Sequence, residues 1–172
     1  MRRTIPYPML ATFDAPSREA CTVCRTPTNT PLQAFVTLND PAFLEPARVL
    51  GARYARRATT GAGWSPEPGR EIGEGPEELS RALLEELLSH ALQRPAVAEQ
   101  LDVLQALLRD ARAAFAADPE AAGEFAGAGG AWSTGLDSQE AEALAAVNPV
   151  DVAAWTVAAS TVLNMDSFLT KE

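Results

Sequence analysis

A chain of 172 residues is long enough for one domain, and its 47% of apolar residues, mostly Ala and Leu with 6% aromatics, favour packed helices over a β-sandwich. The net charge of −9 opposes binding to nucleic acid, and no apolar run reaches the about 18 residues that a membrane span needs. Residues 1–60 hold eight arginines against four acidic residues, whereas the remaining residues carry a net charge of −13. Such a split could pair internally or bind an acidic partner.

Residues 1–30 form the first predicted unit, an irregular segment that four prolines interrupt. Arg2 and Arg3 stand at its start, but no apolar stretch follows them, so no signal peptide is indicated. The segment has no sustained helical periodicity, and we therefore expect it to depend on neighbouring structure for its order.

Two helices are predicted next, each beginning with a capping side chain followed by proline. Thr30 caps the first, which is predicted to end near Leu38. Asp40 caps the second, which is predicted to end near Arg57. Pro46 lies inside this second helix and removes one backbone hydrogen bond, so we expect a kink there.

A helical hairpin is predicted in the middle of the chain. Residues 59–75 are rich in Gly and Pro and predict a surface loop before it. Pro76 then begins a helix with a leucine stripe that ends near Gln93, and a second helix runs from about Ala96 to Ala117. Because the connection is very short, we expect the two helices to pack antiparallel.

The last part of the chain is predicted to hold a helical stub after Pro119, a loop at residues 126–136 and a small-residue helix from Asp137 to Ala146. Asn148 caps a final helix whose buried face is expected to carry Val152, Trp155, Ala159 and Leu163. The fold class is therefore all-α, with the hairpin and the terminal helix packed together behind an irregular, proline-rich N-terminal segment.

Several stretches of the sequence are distinctive rather than generic. They lie at residues 9–23, 28–34 and 38–41, and two more follow near the end, at 151–160 and 163–172. Together they resemble the C-terminal region of the domain of unknown function 1553, and the resemblance extends over nearly the whole chain.

The resemblance implies a parent architecture. Proteins of that family are typically large, secreted and of planctomycete type, and they also carry a cytochrome c-like domain. The resemblance further implies that residues 1–172 are a single C-terminal segment, a fragment of such a protein, in an exported or periplasmic location. Its expected partners are upstream domains of the parent protein or the product of a split gene.

Cys21 and Cys24 form the sharpest chemical pattern, because two thiols at this spacing can form a redox disulfide or half of a zinc site. A zinc site needs two further ligands, and the single histidine, His90, lies far along the chain. Haem attachment needs His at position 25, which is Arg. We therefore interpret both cysteines as structural or unreactive thiols, and we predict no metal and no cofactor.

A polar cluster lies within the most family-like stretch. Its members are Asp14, Arg18, Arg25, Asn29 and Gln33. Carboxylate, guanidinium and amide groups near a helix start could bind an anion or a sugar. The favoured alternative is that they satisfy the backbone groups of an irregular segment through internal hydrogen bonds.

No complete catalytic set is recognised in the sequence. His90 is expected to be a partly buried helix histidine, and the Glu77–Glu78 and Glu85–Glu86 pairs are expected to be solvated, since adjacent helical residues point about 100° apart. The sequence thus favours a structural or interaction module over an enzyme. The alternative is part of an enzyme acting on a carbohydrate or sulfated glycan, with a site that upstream residues complete.

Overall fold

A computed structural model describes residues 12–14, 30–61, 75–127, 142 and 146–169. Within these ranges the chain forms seven α-helices and no strand, so the predicted all-α fold is confirmed. The helices are α1 (Pro31–Asn39), α2 (Pro41–Thr60), α3 (Pro76–Leu92), α4 (Ala98–Ala117), α5 (Pro119–Ala126), α6 (Pro149–Leu163) and α7 (Asp166–Leu169).

The predicted capping residues begin three of these helices, and in each case proline follows. At α1, the Thr30 hydroxyl accepts a hydrogen bond from the Gln33 amide at 3.3 Å, and the Gln33 side chain accepts one from the Thr30 amide at 2.9 Å. Asp40 and Asn148 accept hydrogen bonds from backbone amides in the first turns of α2 and α6. Each cap satisfies donors that the first helical turn leaves open.

The end of α2 differs from the prediction. Thr59 and Thr60 are helical, so the loop predicted at 59–75 begins too early. Their hydroxyls donate to backbone carbonyls one turn earlier in α2, and Gly61 ends the helix in the left-handed region at φ 71°. The rest of that loop lies outside the described residues. Pro46 stands inside α2, and the kink expected there stays a prediction.

The second predicted loop, at 126–136, also begins later than expected. Ala126 is the last residue of α5, and Gly127 ends the helix at φ 74°. Most of the predicted helix from Asp137 to Ala146 lies outside the described residues. One helical hydrogen bond of it is described, from the Ala146 amide to the Glu142 carbonyl at 3.2 Å.

The predicted hairpin is formed by α3 and α4. Arg81 on α3 donates to Asp102 and Gln105 on α4, at 2.6 and 2.9 Å, and Gln105 reaches back to the Glu77 carbonyl at 3.5 Å. The helices therefore run antiparallel, because earlier residues of α3 meet later residues of α4. The buried leucines of the two helices are Leu83, Leu84, Leu87, Leu88, Leu101, Leu104 and Leu108.

The centre of the fold is α6, which packs against α2, α4 and α5. Nine of its fifteen residues are buried, so burial extends around the helix rather than along one face as the sequence predicted. Small residues such as Ala153, Ala158 and Ala159 permit neighbours on several sides. The predicted burial of Trp155 is confirmed, since its side chain is fully enclosed.

The backbones of α2 and α6 approach each other closely at Gly51. A Cβ atom built on Gly51 would lie 2.6 Å from the backbone nitrogen of Thr156 and 2.8 Å from its Cα. Ala47 and Ala55, one turn before and after Gly51, are fully buried. The two backbones therefore pack together at a point where only glycine fits.

Candidate functional site

The orientation of α1 is the reverse of what its sequence would suggest. Its buried residues are polar, Gln33 and Thr37, whereas its large apolar residues point outward. Leu32 is 60% exposed, Phe35 64% and Leu38 50%. These three residues, spaced i, i+3 and i+6 on the helix, form a contiguous stripe that we call the α1 face.

Hydrogen bonds on the buried side fix α1 in this orientation. The Gln33 side-chain amide donates to the Thr12 carbonyl at 2.8 Å and to the Asp14 carboxylate at 3.3 Å. The Thr37 hydroxyl donates to the carbonyls of Gln33 and Ala34, both at 3.1 Å. The Thr37 bonds lie within α1, so the orientation depends on Gln33: turning the apolar side inward would break its bonds to Thr12 and Asp14, which is unfavourable.

The contact between Gln33 and Asp14 also bears on the predicted polar cluster. The structure brings these two members together, and Asp14 has φ 55°, a conformation that few non-glycine residues adopt. Arg18, Arg25 and Asn29 lie outside the described residues. The cluster as a site therefore stays a prediction, and its two described members are hydrogen-bonded to each other.

A buried carboxylate lies between α2 and α3. Glu86 is only 4% exposed, so the expectation of a solvated residue was wrong. Both of its oxygens accept hydrogen bonds from Arg57 on α2, at 2.5 and 2.7 Å, and the Tyr54 hydroxyl lies 3.4 Å from one of them. The Glu86 hydrogen bonds raise the pKa of Arg57. The Arg57 guanidinium therefore compensates the negative charge of the buried Glu86 carboxylate.

Tyr54 links this ion pair to the core. Its ring stacks on Trp155 with centroids 5.7 Å apart, and the Arg57 guanidinium lies 5.5 Å from the centre of the Tyr54 ring. Burial, reinforced by the negative charge of Glu86, raises the pKa of Tyr54 well above its ordinary value. The buried indole N–H of Trp155 has no acceptor among the described residues.

His90 lies one helical turn after Glu86. It is exposed rather than partly buried, because it lies in the last turn of α3, beyond Leu88, the last buried residue of that helix. Its Nδ1 is 3.8 Å from the Glu86 carboxylate. Glu85 is half-buried, and Glu77 and Glu78 are exposed as expected. Cys21 and Cys24 lie outside the described residues.

A cavity of about 120 Å³ opens between α3 and α4. Its lining residues are Glu77, Ser80, Gln105, Leu108, Arg109 and Arg112. The Ser80 hydroxyl donates to the Pro76 carbonyl at 2.8 Å, and Arg112 pairs with Asp151 at 3.0 Å. The cavity is small beside ligand pockets of about 300–1,000 Å³, so it does not form a substrate pocket of ordinary size.

None of the helices in the described ranges combines the length and the apolarity that crossing a bilayer requires. Within the same ranges, no group of three or more His, Cys, Asp or Glu side chains is arranged so that it could hold a metal ion.

Comparison with known proteins gives one match. A family model described as a protein of unknown function (DUF1553) matches residues 1–108, which is more than half of the chain and includes α1, α2, α3 and the first half of α4. No curated protein and no solved structure matches the chain.

Proposed function

Since the chain belongs to the DUF1553 family of proteins of unknown function, we propose that it is a non-catalytic helical interaction module forming the C-terminal part of a larger exported protein. The observation that carries the proposal is the α1 face. The planctomycete origin and the cytochrome c-like neighbour that the resemblance implies belong to the same proposal.

The α1 face has the properties of a protein contact surface. It presents Leu32, Phe35 and Leu38 on one side of a helix that carries no charged residue. Exposed apolar area costs about 25 cal/mol per Å² relative to burial, so clustered, rigidly held apolar side chains favour association. A helix that presents apolar anchors at helical spacing commonly packs into a partner's groove or against a partner helix.

Two ion pairs between helices support a structural role rather than a catalytic one. Glu86 is held by Arg57, and Arg112 is held by Asp151 across α4 and α6. These pairs connect residues that are 29 and 39 positions apart in the sequence. Their oxygen and nitrogen atoms are directed at each other, which favours bracing of the fold.

The proposed partner is a protein surface of matching apolar character, such as an upstream domain of the parent or a split-gene product. The test uses the 172-residue chain and the double variant Leu32→Ser/Phe35→Ser. Val103→Ser is the matched control, because Val103 is 68% exposed but lies alone on α4. Association with the upstream region of a longer family member, and of the chain with itself, is measured by light scattering and calorimetry.

We expect the double variant to lose association while the control retains it, with unchanged melting temperatures for both. Association that survives the double serine substitution would contradict the proposal. So would a Phe35 side chain that is protected from solvent in the dilute monomer, because the chain itself would then cover the α1 face.

A further inference from the structure

The cavity between α3 and α4 extends from the core to the surface. Two of its lining residues, Ser80 and Leu108, are buried, whereas Glu77 and Arg109 are exposed and Arg112 is half-buried. Leu108 gives the buried part an apolar surface, and the charged side chains lie toward the solvent. The cavity therefore combines an apolar inner end with a charged opening, as sites for small polar molecules do.

Hydrogen bonds hold two polar lining residues in place and leave some of their donors available. Arg112 donates through its Nε to Asp151 at 3.0 Å, and within the described ranges its two terminal nitrogens make no hydrogen bond. Gln105 accepts from Arg81 at 2.9 Å, while its own Nε2 makes only a long contact of 3.5 Å with the Glu77 carbonyl. The terminal nitrogens of a guanidinium form a fork that matches a carboxylate.

Opposite charges line this cavity without pairing with each other. Among the residues that the structure describes, neither Arg109 nor Arg112 forms an ion pair with Glu77. Arg109 instead approaches its neighbour Asp110 at 4.0 Å, and Arg112 is held by Asp151. The cavity thus has a carboxylate and two guanidinium groups at its opening, and the ligand of complementary charge carries both a negative and a positive group.

We propose that this cavity binds a small zwitterion of the free amino acid class. The carboxylate of the ligand pairs with Arg112 and Arg109, its ammonium group pairs with Glu77, and its carbon atoms contact Leu108. A cavity of about 150 Å³ holds one benzene molecule, so the cavity of about 120 Å³ admits a molecule about the size of glycine or alanine. No residue of α1 lines this cavity, so the proposal is independent of the α1 face.

The first test is a titration of the full chain with glycine at about pH 7 and constant ionic strength, where glycine is zwitterionic. Nuclear magnetic resonance follows the backbone amide signals of Ser80, Gln105 and Arg112. So few ligand atoms limit the affinity, and we expect saturable shifts with a dissociation constant on the order of 1 mM. The absence of saturable shifts up to about 50 mM glycine would overturn the proposal.

Acetate and methylammonium each carry only one end of the proposed ligand, and they test whether both charges are recognised. We expect each to bind at least about tenfold more weakly than glycine, because each leaves one charged group of the cavity without its partner. Acetate that binds as tightly as glycine would show a site for anions alone, and methylammonium that does so would show a site for cations alone. Either result overturns the zwitterion.

Charge-removing variants test the placement of the ligand. Glu77→Gln should weaken glycine binding about tenfold and leave acetate binding unchanged. Glu78→Gln is the matched control, because Glu78 is the adjacent exposed carboxylate and does not line the cavity. Arg109→Gln should weaken the binding of both glycine and acetate, whereas Arg94→Gln, at an exposed position outside the cavity, should weaken neither.

The melting temperature of each variant without ligand separates lost binding from lost folding. Glu77 and Arg109 are exposed, so we expect both variants to melt with the parent chain. A folded Glu77→Gln variant that binds glycine as the parent does would overturn the proposal. So would a Glu78→Gln variant that loses as much affinity as Glu77→Gln, since the effect would then come from the general charge of this end of α3.

Discussion

The Arg57 guanidinium and the Glu86 carboxylate form a two-point ion pair between α2 and α3, with nitrogen to oxygen distances of 2.5 and 2.7 Å. Glu86 is almost fully enclosed, whereas the Arg57 side chain is about a quarter exposed. The pair joins residues that are 29 positions apart in the sequence. It fixes how the first two long helices of the fold pack against each other.

Removing one partner of this pair should be costly, because the other charge stays buried without compensation. We expect Arg57→Ala to lower the free energy of unfolding by about 3 kcal/mol. Asp102→Ala, which breaks the solvent-exposed pair with Arg81, is the control and should cost about 0–1 kcal/mol. Urea denaturation measures both. Equal losses would show that the Glu86 pair contributes no more than a surface pair.

Tyr54 should make stability fall at high pH. Its pKa is raised in the folded state by burial and by Glu86, above the ordinary value of 10.0. From about pH 10 upward the unfolded chain therefore releases this proton while the folded chain retains it, so unfolding becomes more favourable as the pH rises. Below pH 10 this group should add no pH dependence.

The measurement is the free energy of unfolding between pH 8 and pH 11, with Tyr54→Phe as the matched variant. Removing the hydroxyl removes one titrating group, so the variant should lose stability less steeply above pH 10, by up to about 1.4 kcal/mol per pH unit. Parallel curves for the two proteins would show that the Tyr54 pKa is not raised by folding.

Trp155 should be the most sensitive core position. It is fully enclosed on α6 and stacks on Tyr54, so Trp155→Ala should cost about 3–5 kcal/mol and unfold or aggregate the chain. Trp155→Phe keeps an aromatic ring and removes the indole N–H that lacks an acceptor, so its cost should be smaller. In a variant without Trp64 and Trp132, native Trp155 fluorescence should be blue-shifted; a red-shifted, readily quenched signal would contradict its burial.

Two glycine-to-alanine substitutions should have opposite effects. At Gly51 a methyl group would meet the backbone of Thr156, and we expect a loss of about 1–3 kcal/mol as α2 and α6 separate. At Gly123, inside α5, nothing lies within 4 Å of the added carbon, so Ala should stabilise the helix by about 0.5–1 kcal/mol. Thermal unfolding of both variants would reveal the contrast, and a stabilised Gly51→Ala would contradict the close approach.

Local chemistry made the helix starts and the burial of Trp155 predictable, because a cap followed by proline and a large aromatic on an apolar helix each have one favourable placement. The prediction that Glu86 is solvated was wrong. It treated Glu85 and Glu86 alike, whereas Glu86 lies three residues after Leu83 and next to Leu87, on the leucine stripe itself. That spacing was the available signal. Its partner Arg57 lies on another helix, and no local pattern indicates which helices meet.

The α1 face shows the same limit of sequence-based prediction, here for apolar residues that are exposed rather than for a charged residue that is buried. Apolar residues at helical spacing ordinarily predict a buried stripe, and Leu32, Phe35 and Leu38 have that spacing. Whether a neighbour lies on that side depends on the rest of the fold. In this chain the polar contacts of Gln33 decide the orientation, and they involve residues about twenty positions earlier.

The solvent accessibility of the Phe35 side chain tests the central claim most directly. Hydroxyl-radical footprinting compares Phe35 with the buried Leu104 in the full chain at low protein concentration. We predict that Phe35 is readily oxidised in the dilute chain, while Leu104 is protected. A Phe35 side chain that is protected even in the dilute chain would contradict the account, since the α1 face would then be part of the chain's own core.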